Sequence, residues 1–178
     1  MSNRYPRVFK CGNGKVVAVR PLAPDDLFPL LEFFARLPAE DRLHLRVDVT
    51  DRDIVERRMR PPSHWNVLRL VALCGERIVA EATIEHAAHG FSAHVGEIRV
   101  IVAPDFRRTG LAGYLCRQLL AHGAVENLEK IEVRLMRDQP AGQRFFEKLG
   151  FQEDGLLRGF VKDIEGKNHD LLVMSLRT

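Results

Sequence analysis

The chain has 178 residues, 46% of them hydrophobic, and a net charge of only +3 with a pI near 8.9. That suits one domain with a sizeable core, and the charge is too slight for the dense basic stripe of a nucleic-acid binder. Three cysteines (Cys11, Cys74 and Cys116) in no metal or redox spacing, a polar N-terminus and no long apolar run argue against a disulfide scaffold, a zinc module, a secreted protein or a membrane span, and point to a cytosolic protein.

Residues 7–20 read as a hairpin, Val8-Phe-Lys and Lys15-Val-Val-Ala-Val, turned at Asn13-Gly14. Pro24-Asp25-Asp26 suits the first turn of a helix with Leu27, Leu30, Leu31 and Phe34 as its apolar stripe and Pro38 as its stop. The highly charged segment 40–60 follows, in which Thr50-Asp-Arg-Asp53 has the form of a capping box opening a second helix before Pro61-Pro62. Residues 67–73 and 78–84 are predicted strands joined at Gly75-Glu76, and 86–94 a loop carrying His86, His89 and His94. Further on, Ile131, Val133 and Leu135 alternate as a strand does. Ala141, Phe145 and Leu149 mark a helix closed by Gly150, and residues 151–176 a final hairpin turned near Glu165-Gly166. The whole of 1–178 is expected to be one mixed α/β domain.

The most informative stretch is Glu97-Ile-Arg-Val-Ile-Val-Ala-Pro-Asp-Phe-Arg107-Arg-Thr-Gly110-Leu-Ala-Gly113. It alternates with period two, breaks at Pro104-Asp105, and resumes after Gly110 with helical spacing at Leu111, Leu115 and Leu119. A helix therefore begins where Arg107 and Arg108 sit. Its free backbone N–H groups, with no Cβ at Gly110 and slim residues at Ala112 and Gly113, form a site for a phosphate or pyrophosphate.

Arg107-x-x-Gly110-x-Ala112 resembles the Arg/Gln-x-x-Gly-x-Gly/Ala motif of the GNAT superfamily of acyl-CoA N-acyltransferases. Phe145-Phe-Glu-Lys-Leu-Gly-Phe151 resembles that family's Tyr-Glu-Lys-Leu-Gly-Phe segment. Residues 14–26 and 33–42 are loosely similar to the acetyltransferase domain of bacterial protein-lysine acetyltransferases. The resemblance implies a central, mostly antiparallel sheet flanked by about four helices. It implies acetyl-CoA as co-substrate, no metal, and an amine acceptor, either a protein lysine or N-terminus or a small amine; a homodimer is compatible with it. The amides of Arg107, Arg108, Thr109, Gly110, Leu111, Ala112 and Gly113 would hold the pyrophosphate. The main chain of Val100, Ile101 and Val102 would pair with the pantetheine arm and polarise the thioester carbonyl.

Glu97 stands ten residues before Arg107, at the spacing of the family's general base. Acyl transfer to an amine needs such a base, because an alkyl ammonium has a pKa of about 10. The competing reading makes Glu97 a strand carboxylate paired with Arg99. The family tyrosine that protonates the leaving thiolate is Phe146 here, and the asparagine seven residues before it is Gln139. A phenyl ring has no proton to give, which leaves two readings: unassisted departure of a thiolate, or a non-catalytic acyl-CoA sensor with the same fold. A weaker third is another nucleotide-binding α/β enzyme. Tyr114, Cys116 and Trp65 are read first as packing residues, and the acceptor site is expected from the segment 25–59.

Overall fold

The structure is a computed structural model that describes residues 5–43, 45, 47–163 and 165–178. β1 (Arg7–Lys10) and β2 (Val16–Pro21) form the first hairpin, with Asn13-Gly14 at its turn. A single 3-10 turn at Pro24–Asp26 leads into α1 (Leu27–Ala35), followed by the four-residue α2 (Ala39–Arg42) and by α3 (Arg52–Met59). Then come β3 (Trp65–Cys74), β4 (Arg77–Ala87), β5 (Val95–Val102) and the long α4 (Leu111–Val125). The chain closes with β6 (Lys130–Met136), α5 (Pro140–Lys148), β7 (Gln152–Lys162) and β8 (Asn168–Arg177).

Among the described residues the eight strands make one sheet in the order β1-β2-β3-β4-β5-β6-β8-β7. Every neighbouring pair is antiparallel except β5 and β6, which run parallel. A parallel pair needs a crossover connection, and α4 supplies it. The fold class and the mostly antiparallel sheet thus follow the sequence reading. The extra helix is α2, too short to show a period.

Strand alternation gives the sheet two buried faces. Leu70, Ile84, Ile98, Ile131 and Val133 pack with Leu111, Leu115 and Leu119 of α4 and with Phe146 of α5. Val71 and Ile78 point the other way, against Leu30, Phe33 and Phe34 of α1 and Val55 of α3. Burying each such side chain contributes about 1.5–3 kcal/mol. α3 is capped by Asp51, whose carboxylate accepts from the amides of Asp53 (2.8 Å) and Ile54 (3.1 Å). The cap therefore falls one residue after Thr50, whose hydroxyl instead donates to Asp48. Among the described residues no helix is long and apolar enough to cross a membrane.

Candidate functional site: an open wedge between parallel strands

The parallel ladder is short. β5 and β6 pair at Val95–Lys130, Gly96–Ile131 and Glu97–Glu132. Beyond Glu97 the strands diverge, and a cleft of about 330 Å³ opens between them, with Val100 and Val102 on one side and Val133 and Leu135 on the other. On its far side β5 stays zipped to β4 from Glu97–Glu85 to Val102–Ala80. The Ala103 amide donates to the Val79 carbonyl at 2.9 Å, which fixes the phase of that ladder. Odd-numbered residues of β5 exchange backbone bonds with β4, so the N–H and C=O groups of Val100 and Val102 face the wedge. Ile101, named from sequence with its two neighbours, turns its main chain to β4 and offers the cleft only its side chain.

The wedge runs toward the loop at the start of α4. Pro104–Phe106 forms one 3-10 turn, anchored by the fully buried Phe106. Arg108 and Gly110 both have positive φ, +59° and +86°. Gly110 is the N-cap of α4 and carries no capping side chain, so the amides of Leu111, Ala112 and Gly113 have no intrahelical acceptor. Thr109 shapes the turn through its hydroxyl on the Phe106 carbonyl (2.6 Å), and its own carbonyl accepts from the Gly12 amide (2.9 Å). Asp105 braces the loop from outside, ion-paired with Arg77 at 2.6 Å and Lys15 at 3.6 Å. Burial pushes its carboxyl upward, but the hydrogen bond and charge of Arg77 override that and hold it below the usual range. Arg107 already has partners: Nη2 meets Asp41 of α2 at 2.5 Å and Nε donates to the Val102 carbonyl at 3.3 Å. Arg108 is exposed.

The two faces of the sheet give the cleft unlike walls. Toward α4 and α5 it is apolar: Ile98, Val100, Ala112 and Phe146, with Gln139 at the entrance to α5. Gln139 accepts the Met136 amide at 3.1 Å. Phe146 is 4% exposed and meets Phe145 and Phe151 edge-on at 4.9 and 5.3 Å. Toward α1–α3 the wall is charged. Glu81 is 3% exposed and lines the cleft, held by Arg69 at 2.9 Å. Thr83 stands opposite Arg99, and Arg99 is ion-paired with Glu85.

Glu97 sits on the same face, at the last rung before the strands part. It is buried, with Arg134 Nε at 3.8 Å; Arg134 also grips Glu132 at 2.7 Å. Arg99, the partner expected for Glu97 from sequence, goes to Glu85, its neighbour across the β4–β5 ladder. Glu97 lies at the apex and is not among the residues lining the cleft; Glu81 is. Sequence reasoning missed Glu81 and Arg69, because a carboxylate inside an apolar strand becomes legible only once the register sets an arginine beside it.

Tyr114 stacks on Phe9 at 4.4 Å, and Cys116 is buried, its thiol pushed up to about 12 by burial, so both are packing residues. Trp65, expected in the core, is 40% exposed at the start of β3. His86 belongs to β4 rather than to a loop and is buried. The acceptor-side segment brings Asp41, Leu45, Val47 and Arg58 to the cleft. Among the described residues no group of three or more His, Cys, Asp or Glu side chains is placed to hold a metal.

The model of the acetyltransferase (GNAT) family matches residues 28–151. Solved structures of similar shape include the GNAT domain of the S. lividans protein PAT (16% identical, TM-score 0.79, covering 100% of this chain and 99% of that one). Another is a ribosomal-protein-alanine N-acetyltransferase from Brucella melitensis (22% identical, TM-score 0.69, covering 90% and 99%). A third is a spermidine N-acetyltransferase chimera from Vibrio cholerae and hSSAT (19% identical, TM-score 0.72, covering 90% and 95%). Because that family model spans well over half of the chain, the chain belongs to the GNAT family of acetyltransferases.

Proposed function

We propose that the protein transfers an acetyl group from acetyl-CoA directly to a primary amine, with both substrates bound together. The observation that carries this reading is the unzipped parallel pair: one strand edge, unpaired with β6 beyond Glu97, leads straight to a glycine-capped helix start. Those elements fit the donor. Of the expected 107–113 cradle, the Arg107 amide is spent on the Pro104 carbonyl at 3.2 Å; the amides of residues 108–113 suit a pyrophosphate, since anions are favoured at a helix N-terminus and Gly110 leaves the approach open. The exposed Arg108 adds charge. Arg107 contributes its Nη2 there only by releasing Asp41. The edge of β5 suits a pantetheine arm as an added strand, and the Val100 N–H is the donor toward a thioester carbonyl.

The acceptor amine must come from the charged face. Glu97, directly or through a water at the apex, takes its proton as the new C–N bond forms, and the C–S bond breaks to release CoA as the thiolate. Phe146 offers that thiolate no proton. None is required, because a thiol with a pKa near 8.5 is a tolerable leaving group. The same Phe146 favours the rival reading, a domain that binds acyl-CoA without chemistry. Release of free CoA from acetyl-CoA on adding amines separates the two. Glu97→Gln should retain CoA affinity and lower the rate by about a hundredfold or more at neutral pH. Unchanged turnover would pass the role to Glu81, with Glu81→Gln as the parallel variant.

A further inference from the structure

Arg99 and Thr83 face each other across the β4–β5 ladder on the charged wall of the cleft. One end of the Arg99 guanidinium is fixed by Glu85. The Nε of Arg99 is buried and, among the described residues, meets no acceptor. Arg69, one strand away, shows what a satisfied arginine looks like here: it reaches Glu81, the Thr83 hydroxyl (3.3 Å) and the Arg58 carbonyl (2.6 Å). Because the Thr83 oxygen accepts from Arg69, its hydroxyl proton is left to donate elsewhere. Leaving a buried donor of a charged group unmet is costly, and native structures keep such groups where something else supplies the acceptor. Arg99 and Thr83 both line the cleft, and a cationic N–H beside a hydroxyl suits an oxygen anion.

We infer that the Arg99–Thr83 pair binds a carboxylate on the acceptor, so that the amine substrate is an α-amino acid or a close analogue rather than a polyamine or a lysine side chain. Resting on the transfer reading above, this narrows its acceptor. The position supports the short spacing. Arg99 is adjacent to Val100, whose N–H faces the wedge, and residues along a strand are about 3.3 Å apart. A carboxylate held by Arg99 therefore keeps an amine two bonds away beside the apex where Glu97 stands.

The test offers acetyl-CoA with an equimolar pool of the twenty amino acids, with spermidine, and with Nα-acetyl-lysine amide, and measures CoA release. Matched leucine, leucinamide and isoamylamine then isolate the carboxylate. The expected result is turnover of the pool and a kcat/KM at least about tenfold higher for a free amino acid than for its decarboxylated amine. Arg99→Lys, which retains a cation for Glu85 but loses Nε–H, should erase that preference while CoA affinity by calorimetry stays level. Faster turnover of spermidine or the lysine amide overturns the assignment, as does a preference unmoved in Arg99→Lys. Saturation-transfer NMR of the amino-acid pool with the CoA-loaded protein reads the pocket without chemistry. Binding lost in Arg99→Lys but with no CoA release supports the pocket and sinks the transfer reading. Absence of both binding and turnover sinks the pocket.

Discussion

Gly96→Ala tests whether the apex of the wedge is held by close packing. Gly96 lies in the middle of the three-rung β5–β6 ladder, opposite Ile131 and next to Glu97. A Cβ there would lie 2.6 Å from Leu128 Cδ1, 3.1 Å from Ile131 Cδ1 and 3.4 Å from Ile84 Cδ1. Carbon atoms rest about 3.5–4.0 Å apart, so the Leu128 methyl must retreat by about 1 Å. It has little room: Leu128 is 3% exposed, and the same three side chains also fill the space beside Gly123 of α4. Overpacking of this kind costs about 1–3 kcal/mol. For a chain of this size each kcal/mol lowers Tm by about 2–4 °C, so a fall of about 2–12 °C is expected by calorimetry, with a matching shift in urea midpoint. Leu128→Val removes the offending carbon and alone costs about 1 kcal/mol. Combined with Gly96→Ala it should destabilise by at least about 0.5 kcal/mol less than the sum of the single variants. Strict additivity, or a Gly96→Ala protein as stable as the parent, would refute the claim of tight packing at the apex.

Glu81→Ala should cost about 3–5 kcal/mol in urea unfolding, because it strands the buried Arg69 cation, and Glu81→Gln should cost less. Gly110→Ala forces an L side chain into φ +86° and should lose about 1–2 kcal/mol, while Gly110→Asn, which tolerates that region, should lose much less; thermal melts compare them. Cys116, its thiol raised to about 12, should resist iodoacetamide in the native protein at pH 8 and react after denaturation, as mass spectrometry can show. His169 bridges Asp163 (2.7 Å) and Asp138 (2.9 Å); the Asp163 hydrogen bond raises the imidazole, while His169 and the Lys167 amide lower Asp163. The clasp is at full strength above the unfolded carboxyl pKa near 4 and below the unfolded histidine pKa near 6.5, and weakens as pH rises through the raised value. The Tm advantage of the parent over His169→Asn should therefore shrink between pH 6 and pH 9.

What could be read from the chain was local. Residues 97–113 announce strand, turn and helix because the period changes from two to 3.6 across Pro104 and Gly110, and each signal sits within a few residues of the next. The cap of α3 was displaced by one residue because Asp51 competes with Thr50 for the same amides. Pairings that depend on register were out of reach. Arg99 goes to Glu85 rather than Glu97, and Arg69 finds Glu81, because β3, β4 and β5 align them from separate stretches of sequence. Trp65 reads as a core residue by size, yet β3 begins at the sheet margin, where its ring is partly exposed. The missing half of the β5–β6 ladder, on which the proposed chemistry rests, leaves no mark in a sequence that still reads as strand through Val102.

The most direct measurement is calorimetric titration of the protein with CoA, in parallel with a variant carrying Arg107→Glu and Arg108→Glu. Saturable binding of CoA is expected, weakened at least about tenfold by the charge reversal. No heat of binding at millimolar CoA, or an affinity indifferent to the reversal, would contradict the account.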